Sequence, residues 1–143
     1  MKLLIIGETC LDKFYFGDSE RLDPATVAPI FVGKSQTENH GMAHNVFRNI
    51  QSILNRKYKK ENWDVSLLTN TKTKDFISKT RIVIQKNNHT IVRIDVGDQN
   101  YGHISEHYPQ WKEMKFEDYD GICVIDYDKG FLKQEDIEFL LSK

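Results

Sequence analysis

Four short segments of this sequence carry side chains able to hold a polar ligand. Asp12 lies in a polar run, Gly7 through Asp12, that directly follows an apolar strand-like stretch. Asp126-Tyr127-Asp128-Lys129-Gly130 stands in the same position after a second apolar stretch. Carboxylates there can accept hydrogen bonds from sugar hydroxyls, and Lys129 can meet a phosphate as a point charge. The alternative is that both loops are simply solvated turns. Arg81 and Arg93 lie on two β-branched runs and can clamp an anion through their planar forks, unless neighbouring acids such as Asp95 claim them. The fourth segment, HGMAHNVFRNI from His40 to Ile50, sets Gly41, His44 and Asn45 at the mouth of an amphipathic helix. Gly and Asn are ordinary residues at a helix start, but such a start also presents free backbone N–H groups to a ligand.

Other chemistries fit poorly. His103-Ile104-Ser105-Glu106-His107 matches H-x-x-E-H, an inverted zinc-protease pattern. Pro109 limits its helix and no third ligand stands out, so exposed histidines are the expectation and no metal site is assigned. His40 and His44 share i,i+4 spacing, but Gly41 occupies the place where a zincin needs glutamate. Neither G-x-G-x-x-G nor a Walker A sequence occurs, and Gly17-Asp18 and Gly97-Asp98 lack the following apolar helix of a phosphate cradle. No catalytic base is assigned.

The elements that position these groups follow from periodicity. Lys2 to Gly7 and Gly121 to Ile125 are continuous apolar runs, as expected in a parallel sheet buried on both faces. Val65 to Thr69 is a third strand. Ala43, Val46, Phe47, Ile50, Ile53 and Leu54 recur at helical spacing and predict a helix from about Ala43 to Arg56. Asp12 to Arg21 is rich in aromatics and charges, and a Pro-interrupted piece, Leu22 to Pro29, leads into the extended Ile30-Phe31-Val32. Lys79 to Gln85 and Thr90 to Val96, separated by Lys86-Asn87-Asn88-His89, read as an antiparallel hairpin. Ile104 to Met114 is helical or irregular, and Leu132 to Leu141 is a final amphipathic segment. The pattern is α/β with an antiparallel appendage.

At 143 residues the chain fits one domain with a real core. Its net charge of −1 gives no basic field for nucleic acid. The basic run Arg56-Lys57-Tyr58-Lys59-Lys60 reads as a helix end favoured by the macrodipole. No apolar run approaches the roughly 20 residues of a membrane span. Cys10 and Cys123 stand alone in apolar contexts, so a reducing, cytoplasmic setting is expected.

Taken in order, these positions resemble the first half of a ribokinase-like (PfkB family) sugar kinase, in particular the heptose 7-phosphate kinase domains of ADP-heptose synthases. Ile6-Gly7-Glu8 followed by Leu11-Asp12-Lys13-Phe14 resembles that family's opening strand and substrate-facing aspartate. Arg21-Leu22 and Pro24, followed by Pro29-Ile30, resemble the segment entering its lid. Gly41 to Ile50 resembles G-G-A-A-N-V-A-x-N-I, Lys79-Thr80-Arg81 and Val92-Arg93-Ile94-Asp95 resemble its T-K-x-R and I-R-I/L-D strands, and Asp126 to Gly130 resembles S-D-Y-x-K-G. The resemblance implies a single partial domain over 1–143, a parallel sheet with helices, and an antiparallel β lid around 12–38 and 79–98. It implies phosphoryl transfer from ATP, with Mg²⁺, to a sugar or sugar-phosphate hydroxyl. Asp12, Gly41 and Asn45 would bind the sugar. Arg81, Arg93 and Lys129 would meet a substrate phosphate, and Asp126 a hydroxyl or its own loop. Met42 stands where the family has a second glycine and would narrow the pocket. The G-A-G-D motif that holds ATP and supplies the general base is absent from these residues, so no turnover is expected from them alone. The lid implies a homodimer. A noncatalytic sugar-binding or dimerisation module is the other reading.

Overall fold

The computed structural model describes residues 1–57, 62–70, 77–99 and 101–143. Tyr58 to Lys60 of the basic run lie outside the described residues. The chain builds two sheets. In the first, β1 (Lys2–Gly7) lies between β4 (Asp64–Leu68) and β7 (Gly121–Ile125), all parallel, in the order β4-β1-β7. The second has the order β3-β2-β5-β6, with β2 (Leu11–Leu22), β3 (Pro29–His40), β5 (Ser78–Ile84) and β6 (His89–Val96). It is mixed: β2 runs antiparallel to β3 but parallel to β5, and β5–β6 is the antiparallel hairpin.

The apolar runs of β1 and β7 are continuous because the core sheet is covered on both sides. On one side Leu4, Ile6 and Leu68 pack with Trp111, Phe116, Phe131, Leu132 and Leu140, and Ile122 and Val124 of β7 lie against that cluster. On the other side Ile5 is fully buried, and α1 (Ala43–Lys57) packs on β1 and β4. The rest of the chain forms α2 (Ile104–His107), 3-10 turns at Trp111–Glu113 and Phe116–Asp118, and α3 (Gln134–Leu141). The stretch 104–114 is therefore one short helix and a turn, and the lid strand read only at Ile30 to Val32 extends to His40.

Chain order explains where a ligand can go. From β1 the chain returns to the sheet on one side as β4, and later on the other side as β7. The carboxyl end of β1 is thus a topological switch point, where open parallel sheets leave a crevice. Three loops meet there. Glu8 after β1 accepts hydrogen bonds from the Tyr127 and Lys129 backbone N–H groups after β7, at 3.0 and 3.2 Å. Thr9 N–H donates to Asn70 Oδ1 after β4 at 2.6 Å, and Thr69 Oγ1 donates to Thr9 Oγ1 at 2.7 Å.

Candidate functional site

The helix mouth is fastened to the loop after β1 by backbone bonds. Gly41 N–H donates to Cys10 O at 2.8 Å and Ala43 N–H to Glu8 O at 2.9 Å. These contacts set the first turn of α1 beside Asp12, which opens β2 and pairs in register with Asn39 of β3 and Lys79 of β5. Gly41 leaves room for the Asp12 carboxylate: an added Cβ would sit 2.3 Å from Asp12 Oδ2 and 3.0 Å from Cys10 Sγ, so those side chains would have to turn aside. Met42 follows with φ of +58°, a left-handed conformation that costs an L-residue about 1–2 kcal/mol. Its side chain is buried, with its Sδ 3.5 Å from Tyr101 OH.

The result is an open groove of about 560 Å³ between the lid and α1. Asp12, Gly41, Met42 and Asn45 all line it, joined by Asn39 and Arg48. Asn45, in the first turn of α1, is exposed on the groove wall. Asp12 is oriented by Arg81, whose guanidinium donates to Oδ1 at 2.7 Å while lying over the Phe14 ring. An anchored carboxylate and an exposed amide on one groove wall can each hydrogen-bond a polar ligand.

The three cations expected to meet a phosphate are all committed to carboxylates. Arg81 holds Asp12. Arg93 makes two hydrogen bonds to Asp95 on its own strand, at 2.8 and 2.7 Å, which holds its guanidinium proton more firmly than usual. Lys129 donates to Asp98 Oδ2 at 2.7 Å, and Lys79 lies 3.7 Å from the other oxygen. The Lys129 bond holds the Asp98 carboxyl below the ordinary carboxylate range. Asp98 also accepts from Tyr101 OH, so it ties the lid hairpin to the loop after β7 and to the residue that backs Met42. Nothing in the sequence around Gly97-Asp98 says which cation will reach it. Asp126 is exposed and accepts from Asp128 N–H at 2.8 Å, shaping its own turn.

The H-x-x-E-H segment is structural. His107 is buried and hydrogen-bonded to Tyr101 O at 2.8 Å, so it is not the exposed histidine expected. His103 caps α2 and reaches the buried Asp136 of α3 at 2.6 Å, with Lys112 at 2.9 Å from the same carboxylate. Those contacts, against the cost of burial, hold Asp136 below its ordinary value. Among the described residues no three His, Cys, Asp or Glu side chains group to hold a metal ion. No described helix is long and apolar enough to cross a membrane.

No protein-family model matches the chain. It is similar to the bifunctional protein HldE of Helicobacter pylori strain G27, with 29% identity over 154 residues, covering 94% of this chain and 33% of that protein. HldE of Helicobacter acinonychis is 31% identical over 151 residues, covering 92% and 32%, and HldE of Helicobacter hepaticus is 24% identical over 161 residues, covering 99% and 33%. The chain thus spans about a third of the length of the curated relatives it matches. Among solved structures, a sugar kinase from Clostridium perfringens superposes with a TM-score of 0.49 at 15% identity, over 98% of this chain and 47% of that one. A carbohydrate kinase from Agrobacterium tumefaciens gives 0.43 at 16%, over 68% and 36%.

Proposed function

We propose that this chain, a homologue of the HldE proteins over nearly its whole length, is the sugar-binding part of a carbohydrate kinase architecture. The observation that carries the reading is the convergence of Asp12, Gly41 and Asn45 on one groove at the switch point of the sheet. In this reading Asp12 and Asn45 hold hydroxyls, Gly41 lets the backbone close on the sugar, and Met42 sets the depth of the pocket. The parent reaction is transfer of the ATP γ-phosphoryl group to a sugar hydroxyl, which needs a positioned base and an electrostatic clamp. The residues present do not fit ATP and Mg²⁺. The sequence has no glycine-rich helix start, and no acidic cluster stands ready for a divalent ion among the described residues. No catalytic step is assigned to this chain.

The experiment is calorimetric titration with sugars and sugar phosphates, run beside an ATP turnover assay. Binding without turnover is the expected result. Asn45→Ala should cost stability no more than about 0.5 kcal/mol, as exposed positions do, yet weaken binding roughly fivefold or more. Asp12→Ala should weaken it at least as much, and Met42→Gly should admit bulkier sugars. Turnover abolished by Asp12→Ala would overturn the binding-only role. Affinity indifferent to both Asp12 and Asn45 would overturn the sugar site.

One observation favours the second reading, a noncatalytic module that dimerises. The lid sheet turns Asp12, Arg81 and Arg93 toward one face, and Tyr15, Ile82, Val92, Ile94 and Val96 share the other by register. On β6, Val92, Ile94 and Val96 are 46%, 49% and 54% exposed on an edge strand. Apolar edges of this kind favour pairing with another chain. A homodimer through the lid is expected by light scattering at micromolar concentration, with Ile94→Lys shifting it to monomer. A wild-type monomer under those conditions would remove the proposal.

A further inference from the structure

We propose that Ser105, His103 and Asp136, besides capping α2 and α3, form a nucleophile, base and orienting carboxylate able to take an acyl group from an activated ester. This chemistry is separate from the sugar site, since none of the three lines the groove. Ser105 Oγ lies 2.7 Å from His103 Nδ1, and Nε2 of the same ring lies 2.6 Å from Asp136 Oδ2. Both distances fall in the roughly 2.6–3.2 Å reach of a serine activated by a histidine that a third group holds. Exposure follows the same order: Ser105 is open to solvent, His103 is partly buried and Asp136 is fully buried. Tertiary contacts build the arrangement. Asp136 comes from 33 positions away, and Ile104 N–H, donating to Phe131 O at 2.8 Å, fastens α2 to the loop before α3.

The proton positions follow from the partners. A backbone N–H can only donate, and that of Ser105 points to His103 Nδ1 at 3.3 Å. In the neutral ring Nδ1 is therefore the acceptor, and Nε2 carries the hydrogen that faces Asp136. Against the cost of burial, that carboxylate is held ionised by His103, by Lys112 with Nζ 2.9 Å from Oδ1, and by Lys133 N–H at 3.0 Å. Ser105 O–H then donates to Nδ1, the direction a general base requires.

In the reaction Ser105 Oγ bonds to the acyl carbon while its proton passes to His103 Nδ1. The carbon–oxygen bond to the leaving phenol then breaks, and the imidazolium returns the proton to that oxygen. Water repeats the sequence on the acyl-serine and releases the acid. The Ile104, Ser105 and Glu106 N–H groups all have acceptors already, so none of them is free for the carbonyl oxygen of the ester. The substrate class is therefore an ester with a good leaving group, such as an aryl acetate, and not an amide.

The test treats the full chain with a fluorophosphonate probe and with p-nitrophenyl acetate. One adduct, on the peptide carrying Ser105, is expected by mass spectrometry, formed about tenfold or more faster in the native protein than in urea. Ser105→Ala, a change at an exposed position, should remove both the adduct and the ester cleavage. His103→Ala should slow labelling about a hundredfold. Added imidazole should restore part of that rate, which a purely structural role of the ring would not allow. Nitrogen chemical shifts of the His103 ring should report Nε2–H as the neutral tautomer, the one Asp136 selects. Labelling no faster than in urea, or spread over other serines, overturns the proposal, as does ester cleavage that survives Ser105→Ala. A His103→Ala protein labelled as fast as wild type, or a neutral ring carrying its hydrogen on Nδ1, overturns it equally. The urea comparison and the ring shifts need no variant, so they decide even where His103→Ala does not fold.

Discussion

Gly7→Ala should destabilise the protein by about 4 kcal/mol or more, a large part of the roughly 5–15 kcal/mol that holds a domain of this size. Gly7 ends β1 opposite Ile125 of β7, in the last pair of that parallel ladder. An added Cβ would lie 2.0 Å from the Ile125 carbonyl oxygen, 2.9 Å from its carbonyl carbon and 3.0 Å from its Cβ. Two of those are backbone atoms and cannot rotate aside. β7 would have to draw away from β1, taking Ile122 and Val124 off the core cluster and loosening the three-loop junction beyond the strands. Gly33→Ala is the control. Its Cβ would meet only the Phe31 ring, at 3.6 Å, so the change should stay within about 0.5 kcal/mol. Denaturant midpoints for the two variants decide the matter, and an unchanged midpoint for Gly7→Ala would mean that β1 and β7 are not packed this closely.

The core sheet was readable because burial on both faces leaves a plain signature. Lys2 to Gly7 and Gly121 to Ile125 are strands at the bounds their apolar runs imply, and the α1 stripe gives its helix to within a residue. The lid was harder. β2 carries Asp12, Lys13, Asp18, Glu20 and Arg21 within 12 residues, and β3 is mostly polar beyond Val32. Both owe their strand state to partners: β2 is hydrogen-bonded on both edges, and neither strand buries a continuous face. Alternation fades when a sheet has little buried surface to demand it.

At the site, local sequence located the groups and long-range pairing decided what they do. Asp12, Gly41, Met42 and Asn45 share one groove, a convergence that depends on the Gly41 and Ala43 bonds to the loop after β1. The sequence leaves open whether Arg81 is claimed by an acid and shows no partner for Lys129, because their carboxylates arrive from 69 and 31 positions away in sequence. Arg48, Asn49 and Ser52 read as ordinary solvated helix residues, and the fold adds them to the lining of the same groove.

Glu8 is the residue whose importance sequence conceals most fully, because it reads as the polar end of a strand. It is completely buried, and its two oxygens accept the Tyr127 and Lys129 N–H groups, holding the loop that presents Lys129 to Asp98. Glu8→Ala leaves two donors without partners and opens a cavity, so a loss of about 3 kcal/mol is expected. Glu8→Gln should cost about 1–3 kcal/mol, because the amide NH₂ must face a backbone N–H. Burial raises the Glu8 carboxyl above its ordinary 4.5, against the pull of the backbone N–H bonds and with a small push from Asp126. A raised native value means the folded state holds the proton more tightly than the unfolded chain. Its contribution is therefore full below about 4.5 and shrinks as pH rises through the native value. Asp98 runs the other way, but it is present in both proteins and cancels from their difference. The stability gap between wild type and Glu8→Gln, measured by denaturation from pH 4 to pH 7, should narrow as pH rises. A gap that widened over that range would mean the two N–H bonds outweigh burial, with Glu8 an anion throughout. No gap at any pH would mean the loop after β7 stands without Glu8, and that Lys129 is positioned by Asp98 alone.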